Sequence, residues 1–144
     1  VYHADFIRAW ILVGYDTGLR PSDLRRITWD QIDLASRRYH VVQHKTRNAH
    51  CGSIGDLAAV ALEKIRDAFF DTGLVFPLSK GGVRRIELQL YKEAEKYGFK
   101  RLRGQGIGTL RKSHATGVYS IDGENAAAES LGHVGGPRTV RKSY

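Results

Sequence analysis

The chain has 144 residues, 42% hydrophobic and 26% charged, a globular composition with enough apolar side chains for one core. Its formal net charge of +8 favours a polyanionic partner, nucleic acid before a membrane surface. The single cysteine, Cys51, excludes an intramolecular disulfide and a thiolate zinc site, and no apolar run approaches the roughly 18 residues that span a membrane.

Taken in chain order, residues 3–15 place Phe6, Ile7, Trp10, Ile11 and Val13 at helical spacing, ending near Gly18. Pro21 suits the first turn of a second helix, 21–28, with Asp23 near its positive end. Alternation from Ile32 onward predicts strands at 32–34 and 39–43, with a short return strand at 50–54 completing a hairpin. From Ala35 to Gly55 there is no acidic residue, while Arg37, Arg38, His40, His44, Lys45, Arg47 and His50 are all present. A solvated basic face is the plain reading of that run. Asp56 is a candidate cap for a helix over 57–70, with Leu57, Val60, Ala61, Ile65 and Phe69 on its inner face. Val75-Phe-Pro77 reads as a connector, and 81–97 as a helix turning Val83, Ile86, Leu90 and Ala94 inward. Glycines 104, 106 and 108 punctuate the entry to a helix over 109–120. Further helices follow at 123–131 and, shorter, at 137–144. The fold class is therefore α+β, mainly α-helical with a small antiparallel β-sheet.

Several residues have chemistry beyond packing. A residue before proline is pushed out of the helical region, so Arg20 stands at a helix entrance, where backbone N–H groups and the helix dipole favour an anion. Its guanidinium is a planar fork matched to phosphate oxygens, and Asp23 is placed to hold that fork. A surface Arg–Asp pair of little energetic value is the bland alternative. Lys45 belongs near the hairpin tip, where an ammonium reaches a groove or a scissile phosphate; Arg47 is the alternative in the same turn. Arg111 lies near the start of a helix, with an exposed helix arginine as its bland reading. His133 follows Gly132 at a helix end, and a lone histidine there is more often structural than catalytic. Tyr144 ends the chain; with a pKa near ~10 a tyrosine is ~0.1% ionised at neutral pH and needs a base or a positive cluster to act as a nucleophile. Two arginines, a lysine and a histidine form a set suited to charge on a phosphoryl transition state. The glycines at 104–108 lack the Gly-Lys-Ser/Thr of a phosphate-binding loop, and no serine has a nucleophile-elbow context.

The order of these motifs resembles the catalytic domain of the tyrosine recombinases, the phage integrase family, over nearly the whole chain. Thr17-Gly-Leu-Arg20-Pro-Ser-Asp-Leu24 resembles its first arginine box, followed by Trp29-Asp-Gln-Ile-Asp33 entering the sheet. His44-Lys45-Thr-Arg-Asn48 resembles its hairpin lysine, and Thr109-Leu-Arg111-Lys-Ser-His-Ala-Thr116 its second arginine box. Leu131-Gly-His133 resembles its Leu-Gly-His, with Tyr144 eleven residues later at the nucleophile position. One position departs: the family's His-x-x-Arg has Gly108 in place of the histidine, and His114, nearly a turn past Arg111, is a poor substitute. Three readings follow: the role is minor here, another residue supplies it, or the enzyme is slow or inactive.

The resemblance implies a site-specific recombinase that needs no metal or nucleotide cofactor. Tyr144 would form a 3′-phosphotyrosine and release a 5′-hydroxyl. Arg20, Arg111 and His133 would clamp the nonbridging oxygens, and Lys45 would protonate the leaving 5′-oxygen. Asp23 is the supporting residue; Arg47, Lys112 and Arg141 are the further DNA-binding candidates. The implied partners are duplex DNA attachment sites and, for the full-length protein, a homotetramer on DNA, with no membrane, at the nucleoid in the cytoplasm of a prokaryotic host. A chain that starts at Val1 without a methionine is read as an excised catalytic domain, 1–144, whose N-terminal DNA-binding domain is absent. The alternatives are a catalytically weakened DNA-binding module, a type IB topoisomerase-like enzyme, and a helix-turn-helix regulator using 3–15 and 21–28.

Overall fold

The computed structural model of the protein describes residues 2–100 and 106–131. Helix α1 (Ala4–Thr17) buries Phe6, Ala9, Trp10 and Val13, and packs against α3 (Asp56–Phe69) and α5 (Thr109–Ser130). It stops at Gly18, whose φ of 60° is a left-handed cap. An added Cβ there would lie 2.5 Å from Cδ2 of His114, so both conformation and space demand glycine. Arg20 follows in an extended conformation, and Pro21 opens α2 (Pro21–Leu24).

That second helix is shorter than the expected 21–28. Ile27 is fully buried, and its carbonyl accepts from Val75 N, so the chain leaves helical geometry to reach the core. Thr28 then caps a 3-10 turn, Trp29–Gln31, with the Gln31 side chain returning to the Thr28 N–H. Strands β1 (Ile32–Asp33), β2 (Arg38–Val42) and β3 (Ala49–Ser53) form one antiparallel sheet in that order, within a residue of the expected strand ends. The register pairs Ile32 with Tyr39 and His40 with Cys51. Tyr39 and Val41 turn inward while Arg38, His40 and Val42 face out.

Helix α3 follows Gly55, whose N–H donates to Asp16 Oδ2 at 2.8 Å. Asp56, expected as the cap, is instead the first helical residue and pairs with Arg37. Its inner face also differs from expectation. Leu57 and Val60 are 63% and 52% exposed, whereas Ala58, Ala59, Ala61, Leu62 and Ile65 are buried. Ala61 and Ile65 are thus buried as expected, and Ala58, Ala59 and Leu62 share that burial. Val75 and Phe76 are more than a connector: both are fully buried, and Phe76 packs edge-on against Phe6 and Trp10.

Helix α4 (Lys80–Glu95) is capped by Ser79 and turns Ile86 into the core, with Val83 and Leu90 partly buried beside it. Helix α5 breaks at Gly123, where φ 86° and ψ −174° are non-helical. The two helices expected over 109–120 and 123–131 are thus the two arms of this kinked element. The short helix expected over 137–144 lies outside the described residues.

Candidate active site

The end of α1 presents carbonyls with no partner inside the helix. Side chains from elsewhere satisfy them, Tyr39 Oη on Thr17 O at 3.5 Å among them. His50 on β3 approaches Thr17 O at 2.7 Å, His114 Nδ1 on α5 approaches Tyr15 O at 2.8 Å, and Arg111 Nη1 donates to Gly18 O at 2.6 Å. A carbonyl only accepts, so each histidine nitrogen at these contacts carries the proton. Burial, and secondarily the nearby Arg111 guanidinium, holds both imidazoles below their ordinary pKa. His50 is therefore a buried, structural residue, not a member of the basic face to which the sequence reading assigned it. The turn that carries Arg20 is pinned two residues away, at Gly18.

Arg111 is 7% exposed, which removes the surface-arginine reading. Its Nη2 donates to Leu131 O at 2.9 Å, so one guanidinium joins the end of α1 to the last turn of α5. The Leu131 carbonyl takes a second hydrogen bond, 3.2 Å, from Gln43 Nε2. Gln43 Oε1 accepts from Arg20 Nη1 at 2.9 Å and from Thr46 Oγ1 at 3.0 Å. The path is closed: Arg20 to Gln43 to Leu131 O to Arg111 to Gly18, which precedes Arg20 by two residues.

Asp23 pairs with Arg20 and takes on a second task. Its Oδ2 is 3.9 Å from Arg20 Nη1, an ion pair beyond hydrogen-bond distance. Its Oδ1 accepts the His44 N–H at 2.9 Å, so the buried carboxylate grips the hairpin turn. Lys45 is exposed and sits between two anchored neighbours, His44 on Asp23 and Thr46 on Gln43. Arg47, exposed with φ 58°, closes the turn by donating its N–H to Gln43 O at 2.9 Å. Lys112 is also exposed, on the turn of α5 next to Arg111.

The structure thus brings together Arg20, Asp23, Arg111 and the hairpin of Lys45. His133, Arg141 and Tyr144 lie outside the described residues, the first of them two positions beyond Leu131. Gln43 is the residue that motif reading missed. Strand alternation was the available signal: it puts residue 43 on the inward side with Tyr39 and Val41, and a buried amide needs partners.

Gly108 is the N-cap of α5, and an added Cβ meets no described atom within 4 Å. His114 turns toward α1, and its Nε2 is buried without a hydrogen-bond partner among the described residues. No group of three His, Cys, Asp or Glu placed to hold a metal occurs among the described residues, and none of their helices is long and apolar enough to cross a membrane.

The sequence matches the family described as the phage integrase family over residues 4–141. The fold is similar to that of XerA recombinase, with a TM-score of 0.74 and 20% identity over 96% of this chain and 51% of that one. It is also similar to the lambda integrase catalytic core, at 0.69 and 19% over 89% of this chain and 83% of that one. The Tn1549 transposon integrase, in complex with a circular intermediate DNA, gives 0.73 and 14% over 94% and 58%. This chain therefore spans about half the length of XerA recombinase. At such identities the likeness is one of fold. No curated protein matches the sequence.

Proposed function

The chain belongs to the phage integrase family, and we propose that it carries out the strand transfer of a site-specific DNA recombinase through a 3′-phosphotyrosine. The observation that carries this reading is the closed hydrogen-bonded path joining Arg20, the Lys45 hairpin, Arg111 and the segment that leads to His133. Four separate segments are held in register at the place where phosphate-binding groups would have to converge.

In the proposed reaction the Tyr144 phenol oxygen attacks the scissile phosphorus as its proton passes to solvent water. The bond to the 5′-oxygen breaks, and that oxygen takes a proton from the Lys45 ammonium. Arg20, Arg111 and His133 stabilise the charge on the nonbridging oxygens, each such donor being worth about 3–4 kcal/mol in comparable sites. The phosphotyrosine keeps the energy of the phosphodiester, so a second 5′-hydroxyl can reverse the step on another strand without ATP or metal. Asp23 serves by holding the hairpin, and Arg47, Lys112 and Arg141 contact DNA. The substrate is duplex DNA at attachment sites, and the assembly on it is a homotetramer.

The test is a pool of nicked duplexes with randomised sequence around the nick, so that cleavage releases a short strand and traps the protein. A denaturant-resistant adduct linked to a 3′-phosphate is expected, and Tyr144→Phe abolishes it. An adduct that survives Tyr144→Phe, or one linked to a 5′-phosphate, refutes the assignment. Sequencing the trapped strands also yields the preferred site. The open position at Gly108 favours one second reading, a DNA-binding module with weakened catalysis; tight binding of the duplex pool with no adduct would support it.

A further inference from the structure

Gln43 is fully buried, and its amide is used on both sides. The orientation of that amide follows from its partners: the Arg20 guanidinium can only donate and the Leu131 carbonyl can only accept. Two donors occupy Oε1, namely Arg20 Nη1 and Thr46 Oγ1, while Nε2 faces the carbonyl already bound by Arg111. The backbone of Gln43 closes the hairpin turn as well, donating to Asn48 O and accepting from Arg47 N, both at 2.9 Å. The side chain of Gln43 thus reaches Arg20, the turn of Lys45 and the end of α5 at once.

We propose that Gln43 is a positioning residue for strand transfer, whose amide sets Arg20, the Lys45 turn and the Leu131 carbonyl in one register. The inference rests on the recombinase reading above. It assigns a role to the donor and acceptor character of the side chain, beyond its bulk. A carboxylate at this position would still accept from Arg20 and Thr46. It would set a second acceptor against the Leu131 carbonyl and would offset the charge that Arg20 offers a phosphate. A protonated carboxyl, with one O–H and one carbonyl oxygen, restores the pattern of the amide. Methionine keeps much of the length and supplies neither group. Among the described residues, the charged or titratable groups on the elements bonded to Gln43 include Arg20, Asp23, His44, Lys45, Arg47 and Arg111.

The experiment compares single-turnover adduct formation by the wild type, Gln43→Glu and Gln43→Met on the nicked duplex recovered from the pool. A misplaced catalytic group costs about 100-fold, so both variants should be slowed about 10- to 100-fold near neutral pH. DNA affinity of Gln43→Met should stay within about threefold, since that change leaves the binding charges as they are. The ratio of Gln43→Glu to wild type should rise as pH falls from about 8 toward the carboxyl range, while the Gln43→Met ratio stays flat. A residue that merely supports the fold would give flat ratios for both, or losses that track unfolding measured in denaturant. Flat ratios, or wild-type rates in either variant, overturn the inference and leave the recombinase reading intact. A wild type that forms no adduct defeats that reading, and the inference with it.

Discussion

A buried guanidinium needs acceptors, and Arg111 finds two of them in the carbonyls of Gly18 and Leu131. One residue is thereby committed to structure and, in the proposed reaction, to the phosphate. Three residues before it, Gly108 contributes no side chain to either task. Positions i and i+3 lie on one side of a helix, so a side chain at 108 would stand beside Arg111. Gly108 has helical dihedrals, φ −64° and ψ −15°, and an added Cβ has open space among the described atoms. Gly108→His is therefore expected to fold normally and to raise the single-turnover cleavage rate, by about 10- to 100-fold if the imidazole acts as a donor or proton shuttle. DNA affinity should not change. Burst kinetics on the trapped duplex would check this, and a rate equal to wild type would mean that another group already fills the place. His114 is a poor candidate for that group, because its Nδ1–H is spent on Tyr15 O.

Helix α3 shows how far the sequence could be read at the level of elements. Its span was legible, since hydrophobic residues recur at helical spacing from Leu57 to Phe69. Its inner face was legible in part: Ala61 and Ile65 are buried as expected, whereas Leu57 and Val60 are exposed and Ala58, Ala59 and Leu62 are buried instead. The competing factor is how closely two helices approach, and that is set by the smallest residues between them. Leu57→Ser is accordingly expected to change stability by about 0.5 kcal/mol or less, as for most exposed sites. Ala61→Leu should cost about 1–3 kcal/mol by overpacking α3 against its neighbours. Equal midpoints for the two variants in chemical denaturation would contradict this assignment of faces. The same logic separates the other elements. Hydrophobic spacing located α1, Pro21 the start of α2 and the glycines the entry to α5, whereas the end of α2 depended on Ile27 being drawn to residues 73–75, a long-range pairing that local spacing does not carry. The arginine and lysine positions of the proposed site come from motifs. The hydrogen bonds that join them do not, because Gln43 and two main-chain carbonyls have no motif of their own.

At the scale of the whole molecule, the sheet, α5 and α1 meet at the carbonyl end of α1, and two neutral imidazoles make part of that junction. His50 and His114 both have folded-state pKa values held below the ordinary 6.5, by burial first and then by the contacting positive field of Arg111. The unfolded chain therefore binds more protons than the folded one at mildly acidic pH. Stability is fully present above about pH 6.5 and is lost as pH falls from there through the lowered folded values. Carboxylates contribute little to this window, since their ordinary values lie near about 4. A melting temperature that declines between about pH 6.5 and pH 5 is expected for the wild type. His50→Gln removes one titrating group while leaving an amide N–H that can reach Thr17 O, so its decline should be shallower. Identical slopes would place the acid-sensitive group elsewhere. Because the same junction fixes Gly18, and through it Arg20 and Arg111, loss of DNA cleavage on acidification should follow the melting curve in the wild type and move with it in the variant.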